Sequence, residues 1–116
     1  MKHVKNAHMG DHLLVEVYNV PFDKLNDAKE IEKVCVSALQ TEKLTILNVF
    51  THQFEPQGVT CLISLAESHL CCHTWPEKGC VAFDIFTCGN KNPRMVALWL
   101  LEYFDTEDYV MKDINR

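Results

Sequence analysis

Between Glu67 and Cys88 the chain gathers groups able to do covalent chemistry: Glu67-Ser68-His69, Cys72-His73-Thr74-Trp75-Pro76-Glu77 and Phe86-Thr87-Cys88-Gly89. A hydroxyl or thiol beside an imidazole is the minimum for acyl transfer, the imidazole serving as the base. A serine hydrolase of the nucleophile-elbow type is excluded, because Ser68 has Ala66 and Leu70 where G-x-S-x-G requires glycines. Cys72 or Cys88 with His73 is a second nucleophile–base pair, and composition alone leaves it open beside the plainer reading of His73 and Cys88 as ordinary strand residues. His69, Cys71, Cys72 and His73 cluster as zinc ligands do. Their spacing, H-x-C-C-H, matches no C-x2-C pair and no second ligand pair follows, so no metal is expected.

The elements that must position these groups follow from hydropathy and turn chemistry. Asp11 to Val20 alternates loosely and is rich in Leu, Val and Tyr, which predicts a strand ending at Pro21. A helix follows, capped by Asp23 or Asn26, with Ile31, Val34, Cys35, Ala38 and Leu39 on one face through about Gln40. Leu44 to Phe54 is a β-branched and aromatic run closed by Glu55-Pro56-Gln57-Gly58, and Val59 to Leu65 reads as its hairpin partner. Ala66 to Lys78 has no clean period and is assigned no element. Cys80 to Thr87 resumes as a strand, with Val81, Phe83, Ile85 and Thr87 on one side. Pro93 suits the first turn of a second helix carrying Val96, Leu98, Leu101 and Phe104, and a last strand lies near Tyr109 to Met111. The order is β-α-β-β-β-α-β, an α+β two-layer sandwich of an antiparallel sheet with two helices on one face.

A chain of 116 residues holds one hydrophobic core, hence a single domain, and 47% hydrophobic with 23% charged residues is the balance of a globular one. The longest apolar runs, Cys61 to Ala66 and Met95 to Leu101, fall far short of the ~20 residues that span a bilayer, so no membrane association is expected. A net charge of −5 without a basic run argues against nucleic acid and is compatible with a cationic small-molecule partner. Residues 1–6 are basic but lead into no apolar segment, which predicts no secretory signal and a cytoplasmic protein. In that compartment the six cysteines are expected to be thiols rather than disulfides.

Four segments in fixed order carry a resemblance, Gly58-Val59-Thr60, Glu67-Ser68-His69-Leu70, His73-Thr74-Trp75-Pro76-Glu77-Lys78-Gly79 and Asp84-Ile85-Phe86-Thr87-Cys88-Gly89, and His12-Leu13-Leu14-Val15-Glu16 ahead of them matches as well. Together they resemble the short prokaryotic S-adenosylmethionine decarboxylase proenzymes, and the likeness extends through the first helix to about Leu101. The resemblance implies self-cleavage between Glu67 and Ser68, giving chains 1–67 and 68–116. The Ser68 hydroxyl would attack the Glu67 carbonyl to form an ester, His73 would remove the Ser68 α-proton, and β-elimination and hydrolysis would leave a covalent pyruvoyl group as the cofactor. Alanine at 68 could neither attack nor eliminate. The pyruvoyl carbonyl is implied to take the substrate amine as a Schiff base, and Cys88 to donate the proton that replaces carbon dioxide, a task open to a thiol. Phe54 and Trp75 resemble the family's adenine-contacting aromatics and Glu77 its ribose-binding carboxylate. Read as plain residues, Phe54 is also a candidate for the core, which Trp75 beside Pro76 is less suited to. The likeness further implies a homodimer of cleaved chains with active sites at the interface.

The chain departs from the family at Thr60, where serine is usual in aiding the processing step, and at Asn19-Val20, where Gly-Cys is usual. Thr60 keeps the hydroxyl. Asn19-Val20 leaves one alternative in play, a pyruvoyl-dependent decarboxylase of a basic amino acid such as ornithine or arginine; the other alternative, of a different class, is an unprocessed, non-catalytic regulatory homologue. Phe54, Trp75 and Glu77 favour a nucleoside substrate over the first, and the joint presence of Ser68, His73 and Cys88 disfavours the second. The expected function is therefore decarboxylation of S-adenosylmethionine to the aminopropyl donor of spermidine synthesis.

Overall fold

A computed structural model describes residues 7–116; the segment 1–6 that was read for a signal lies outside the described residues. Six strands form one sheet: β1 (Asp11–Val17), β2 (Ile46–Gln53), β3 (Val59–Leu65), β4 (Ser68–Trp75), β5 (Cys80–Thr87) and β6 (Tyr109–Asn115). Their spatial order is β2-β3-β4-β5-β1-β6, with every pairing antiparallel. The helices are α1 (Phe22–Leu25), α2 (Ala28–Thr41) and α3 (Pro93–Phe104), and a single 3-10 turn covers Pro76–Lys78.

The α+β class and the antiparallel sheet agree with expectation, and the element count does not. Ala66 to Lys78, for which the sequence predicts no element, holds a central strand, β4. Its period is masked because both faces carry small or sulfur-bearing groups: Leu70, Cys72 and Thr74 point to the core, while His69, Cys71, His73 and Trp75 alternate with them. That alternation also separates Cys72 from the other three candidate zinc ligands. The expected first helix is two helices, and the cap is Asp27, whose Oδ1 accepts from the Glu30 N–H at 3.2 Å, rather than Asp23 or Asn26. β1 stops at Val17, three residues early, and β6 runs well past Met111. In α3, Leu98 faces outward, and the buried stripe is Val96, Ala97, Leu100, Leu101 and Phe104.

The core lies between one face of the sheet and the helices. Leu13, Val15 and Val17 of β1, Cys61 and Ile63 of β3, Leu70 and Cys72 of β4, and Phe83 and Ile85 of β5 are buried there with Ile31, Leu39 and Phe104. Each such side chain contributes about 1.5–3 kcal/mol on removal from water. Gly10 lets β1 start flush against β5, since a Cβ there would stand 2.3 Å from the Thr87 carbonyl oxygen. Among the described residues the opposite sheet face carries no helix. Phe50, Leu62 and Trp75 are exposed on it, among His12, His69, His73 and Asp84.

Candidate active site

Register decides which site residues meet. Antiparallel pairing places Ser68 opposite both Leu65 of β3 and Thr87 of β5, so the two-residue turn Ala66-Glu67 abuts the end of β5. There the backbone N–H of Cys88 donates to the Glu67 carbonyl oxygen at 3.0 Å. The bond expected to break thus has its carbonyl polarised by a backbone donor, as acyl transfer requires. Cys88 is exposed, one residue beyond β5.

Ser68 has φ +150°, a region that only glycine occupies without strain. A residue held there costs on the order of 1–3 kcal/mol and persists only where its neighbours over-determine it. Glu67 is fixed at both ends: its carboxylate accepts from the Thr45 N–H at 3.0 Å and the Thr45 hydroxyl at 3.3 Å. The Thr45 amide, the first cause, holds the Glu67 carboxyl below its usual range, and Lys91 acts in the same sense. The Thr45 carbonyl in turn accepts from the Ala66 N–H at 3.0 Å.

A second cluster occupies the other end of β4. Phe54, Thr60, His73, Trp75 and Glu77 line a cleft of about 380 Å³ with Gly58 and Thr74. The Thr60 hydroxyl and His73 Nδ1 are 3.0 Å apart, so the threonine retains the polar contact that a serine would make. Phe54 and Trp75 are 46% and 40% exposed, which removes the core reading of Phe54. His52 stands edge-on to Phe54, ring centroids 4.5 Å apart. The turn that presents Phe54 is tied down by Asn26, whose Oδ1 accepts from the Gly58 N–H at 2.9 Å and from Gln53 Nε2 at 3.0 Å. Gly58, at φ +113°, supplies the conformation this turn needs.

The two clusters stand apart within one chain. Ser68 and His73 share β4 at five positions' separation, about 16 Å at 3.3 Å per residue. Glu67, Ser68 and Cys88 gather at one end of β4, and Phe54, Thr60, His73, Trp75 and Glu77 at the other.

Residues 11–116 match the family model described as S-adenosylmethionine decarboxylase. The chain belongs to the S-adenosylmethionine decarboxylase family. It is 42% identical over 109 residues to the S-adenosylmethionine decarboxylase proenzyme of Moorella thermoacetica, covering 93% of this chain and 87% of that one. Identity to the proenzyme of Synechococcus sp. is 46%, covering 93% and 85%. The adenosylmethionine decarboxylase structure from Aquifex aeolicus superposes with a TM-score of 0.87 at 28% identity, covering 94% of this chain and 91% of that one.

In this family member, three residues without a sequence-based role support the expected ones. Thr45 anchors Glu67, while His12 and Asp84 join His69 on the open face: both imidazole Nε2 atoms donate to Asp84 Oδ2, at 2.9 Å and 2.8 Å. His12, His69 and Asp84 bring ligating atoms within 4.8 Å of one another, a set able in principle to hold a metal ion. His12 and Asp84 lie within matched segments, but their partnership depends on strand register. Among the described residues no helix is long and apolar enough to cross a membrane.

Proposed function

We propose that this chain is a self-processing decarboxylase of S-adenosylmethionine, one domain over 1–116 cut between Glu67 and Ser68, working in the cytoplasm and needing no metal. The observation that carries the self-cleavage is the state of the scissile bond: a serine at φ +150°, preceded by a carbonyl already accepting a backbone N–H. In the cut, the Ser68 hydroxyl adds to the Glu67 carbonyl and the peptide C–N bond breaks to leave an ester. Loss of the Ser68 α-proton to His73 expels the Glu67 carboxylate, and water then releases ammonia, leaving pyruvoyl at position 68. The residues fit such a group, since position 68 already has a hydroxyl, a hydrogen-bonded acyl neighbour and a thiol-bearing residue beside it. A pyruvoyl group supplies a carbonyl that accepts the electrons of an α-amino acid as carbon dioxide leaves.

The chain's own residues supply the rest. Phe54 and Trp75 hold the adenine by their ring faces, Glu77 accepts hydrogen bonds from the ribose hydroxyls, and Cys88 delivers the proton to the product. Because His73 and its cleft lie about 16 Å from Ser68 along β4, the reading requires a second copy. A two-fold axis crossing the open face near the middle of β4 brings Ser68 of one copy to His73 of the other and completes two sites. The exposed Phe50 and Leu62 on that face give such a contact apolar area to bury.

Intact mass measurement of the purified chain tests the reading. Two fragments are expected, 1–67 and 68–116, the second blocked to Edman chemistry, with turnover of S-adenosylmethionine and none of ornithine or arginine. A full-length species that survives prolonged incubation overturns it, and brisk turnover of ornithine overturns the substrate.

A further inference from the structure

Ser68 is strained, and its N-terminal side is pinned through Glu67 and Thr45. Its C-terminal neighbour is pinned as well, by groups outside the proposed chemistry. His69 Nε2 donates to Asp84 Oδ2 at 2.8 Å, and the same oxygen accepts from His12 Nε2 at 2.9 Å. The sheet makes this convergence possible. His12 of β1 and His69 of β4 both face Phe86 of β5, one on either side, and both lean diagonally onto Asp84 two residues before it. The Phe86 ring lies 5.3 Å from His12 and 6.0 Å from His69, and the Arg116 guanidinium lies over its ring at 4.8 Å.

The tautomers follow from the partners. Arg116 Nη1 stands 3.2 Å from His12 Nδ1, and because a guanidinium only donates, Nδ1 accepts and the His12 proton sits on Nε2, aimed at Asp84. The three groups thus satisfy one another by hydrogen bonding, which is why a clamp is favoured here over a metal site. His12 is 16% and Asp84 24% exposed at the side chain, a partly desolvated setting in which charge-assisted bonds gain strength.

We infer that His12 and Asp84 are positioning residues for the self-cleavage and for the decarboxylation that follows: through His69 they hold position 68 in place before and after the cut. This rests on the proposed cleavage site. Once the 67–68 bond breaks, position 68 loses its covalent link to Glu67, and His69 becomes the first residue held by a side chain. His12 belongs to segment 1–67, whereas His69 and Asp84 belong to 68–116, so the clamp joins the two fragments at the reactive end.

The test compares Asp84→Ala, His69→Ala, their double variant and Asp84→Asn, which keeps an oxygen able to accept both N–H groups. Far-UV circular dichroism checks folding. Cleavage in Asp84→Ala and His69→Ala is expected to slow by about 10- to 100-fold, the cost of misplacing a reacting group by about an ångström. In cleaved material kcat should fall by a similar factor while KM for S-adenosylmethionine stays within about twofold, because none of the clamp residues is among those proposed to hold the adenosine, Phe54, Trp75 and Glu77. The double variant should match the worse single one, and Asp84→Asn should recover most of the loss. Wild-type rates in Asp84→Ala, losses that multiply in the double variant, or Asp84→Asn no better than alanine would each overturn the clamp. EDTA slowing cleavage of the wild-type chain would overturn it in favour of a metal.

A fold-level readout separates this inference from the proposed function. In the uncleavable Ser68→Ala chain, Asp84→Ala should speed amide exchange at 67–69 by about tenfold without changing that of Leu70 to Thr74. Unchanged exchange sinks the clamp, whatever the chain catalyses, and a wild-type chain that never cuts sinks only the proposed function.

Discussion

The Cys88 backbone N–H bonds the Glu67 carbonyl oxygen at 3.0 Å, so the residue proposed to donate the product's proton also holds the carbonyl of the bond proposed to break. Strand register creates this double use: Thr87 pairs with Ser68, and the next residue necessarily meets the turn before it. Cleavage and decarboxylation then share one location because the second reaction uses the chain end made by the first.

Strain at position 68 is measurable where cleavage is blocked. Ser68→Ala and Ser68→Gly both lack the nucleophile and should stay full length. Glycine adopts φ +150° freely, whereas alanine does not, a difference on the order of 1–3 kcal/mol partly offset by the ~1 kcal/mol entropic cost of glycine. Urea unfolding should therefore show Ser68→Gly the more stable by about 1 kcal/mol. An alanine variant equal to or more stable than the glycine one would show that the backbone is relaxed there.

Complementation in trans follows from the distance between Ser68 and His73. Neither Ser68→Ala nor His73→Ala should cut itself. When the two are co-expressed, the His73→Ala chain retains Ser68 and borrows His73 from its partner, so about half the chains in mixed dimers should be cleaved. Mass spectrometry that finds only full-length chains in isolated mixed dimers would exclude a shared site.

Thiol reactivity should be strongly graded. Cys88 is exposed, whereas Cys35, Cys61 and Cys72 are buried, and burial together with the Asp84 charge pushes the Cys71 thiol up to about 11. Iodoacetamide at about pH 8 should label Cys88 first and Cys71 far more slowly. Labelling Cys88 in mature protein should abolish turnover while leaving the completed cut intact. Full activity after stoichiometric Cys88 labelling, mapped by peptide mass, would remove it as the proton donor.

The Glu67 carboxylate gives a pH dependence of definite sign. Its folded-state pKa is lowered, first by the Thr45 amide, so its contribution to stability is complete above the ordinary glutamate range and is lost as pH falls through the folded-state value. In a Ser68→Ala background, Glu67→Gln should lower Tm at neutral pH, and the gap between the two should close in acid. A gap that widens on acidification would contradict the Thr45 anchor.

Core packing bears on the same end of the sheet. Leu70 is fully buried two residues after Ser68, and Leu70→Ala should destabilise the uncleaved chain by about 2–5 kcal/mol. Chemical denaturation that finds less than about 1 kcal/mol would mean that the site collapses around the loss.

Much of this molecule is written in local chemistry. The strand Val59–Leu65 and the helix Pro93–Phe104 are legible because turn residues, Pro93 and apolar spacing act over a few positions. The motifs around Glu67-Ser68-His69 and Phe86-Thr87-Cys88 likewise carry the family resemblance, and with it the proposed reactive groups, without a structure. β4 is not legible that way: its two faces differ little in residue type, and being paired on both sides makes it a strand. Leu98 fits the apolar period of α3 and still faces out, since only packing against α2, β1 and β5 selects the buried stripe. The sequence by itself therefore determined which groups are available, a hydroxyl, an imidazole and a thiol, and the resemblance of its motifs gave them the roles proposed here. Only the tertiary structure decided that Cys88 meets Glu67, that His12 and Asp84 hold His69, and that His73 lies a strand's length from Ser68, because hydrogen-bond register between strands brings distant positions together and keeps strand neighbours apart.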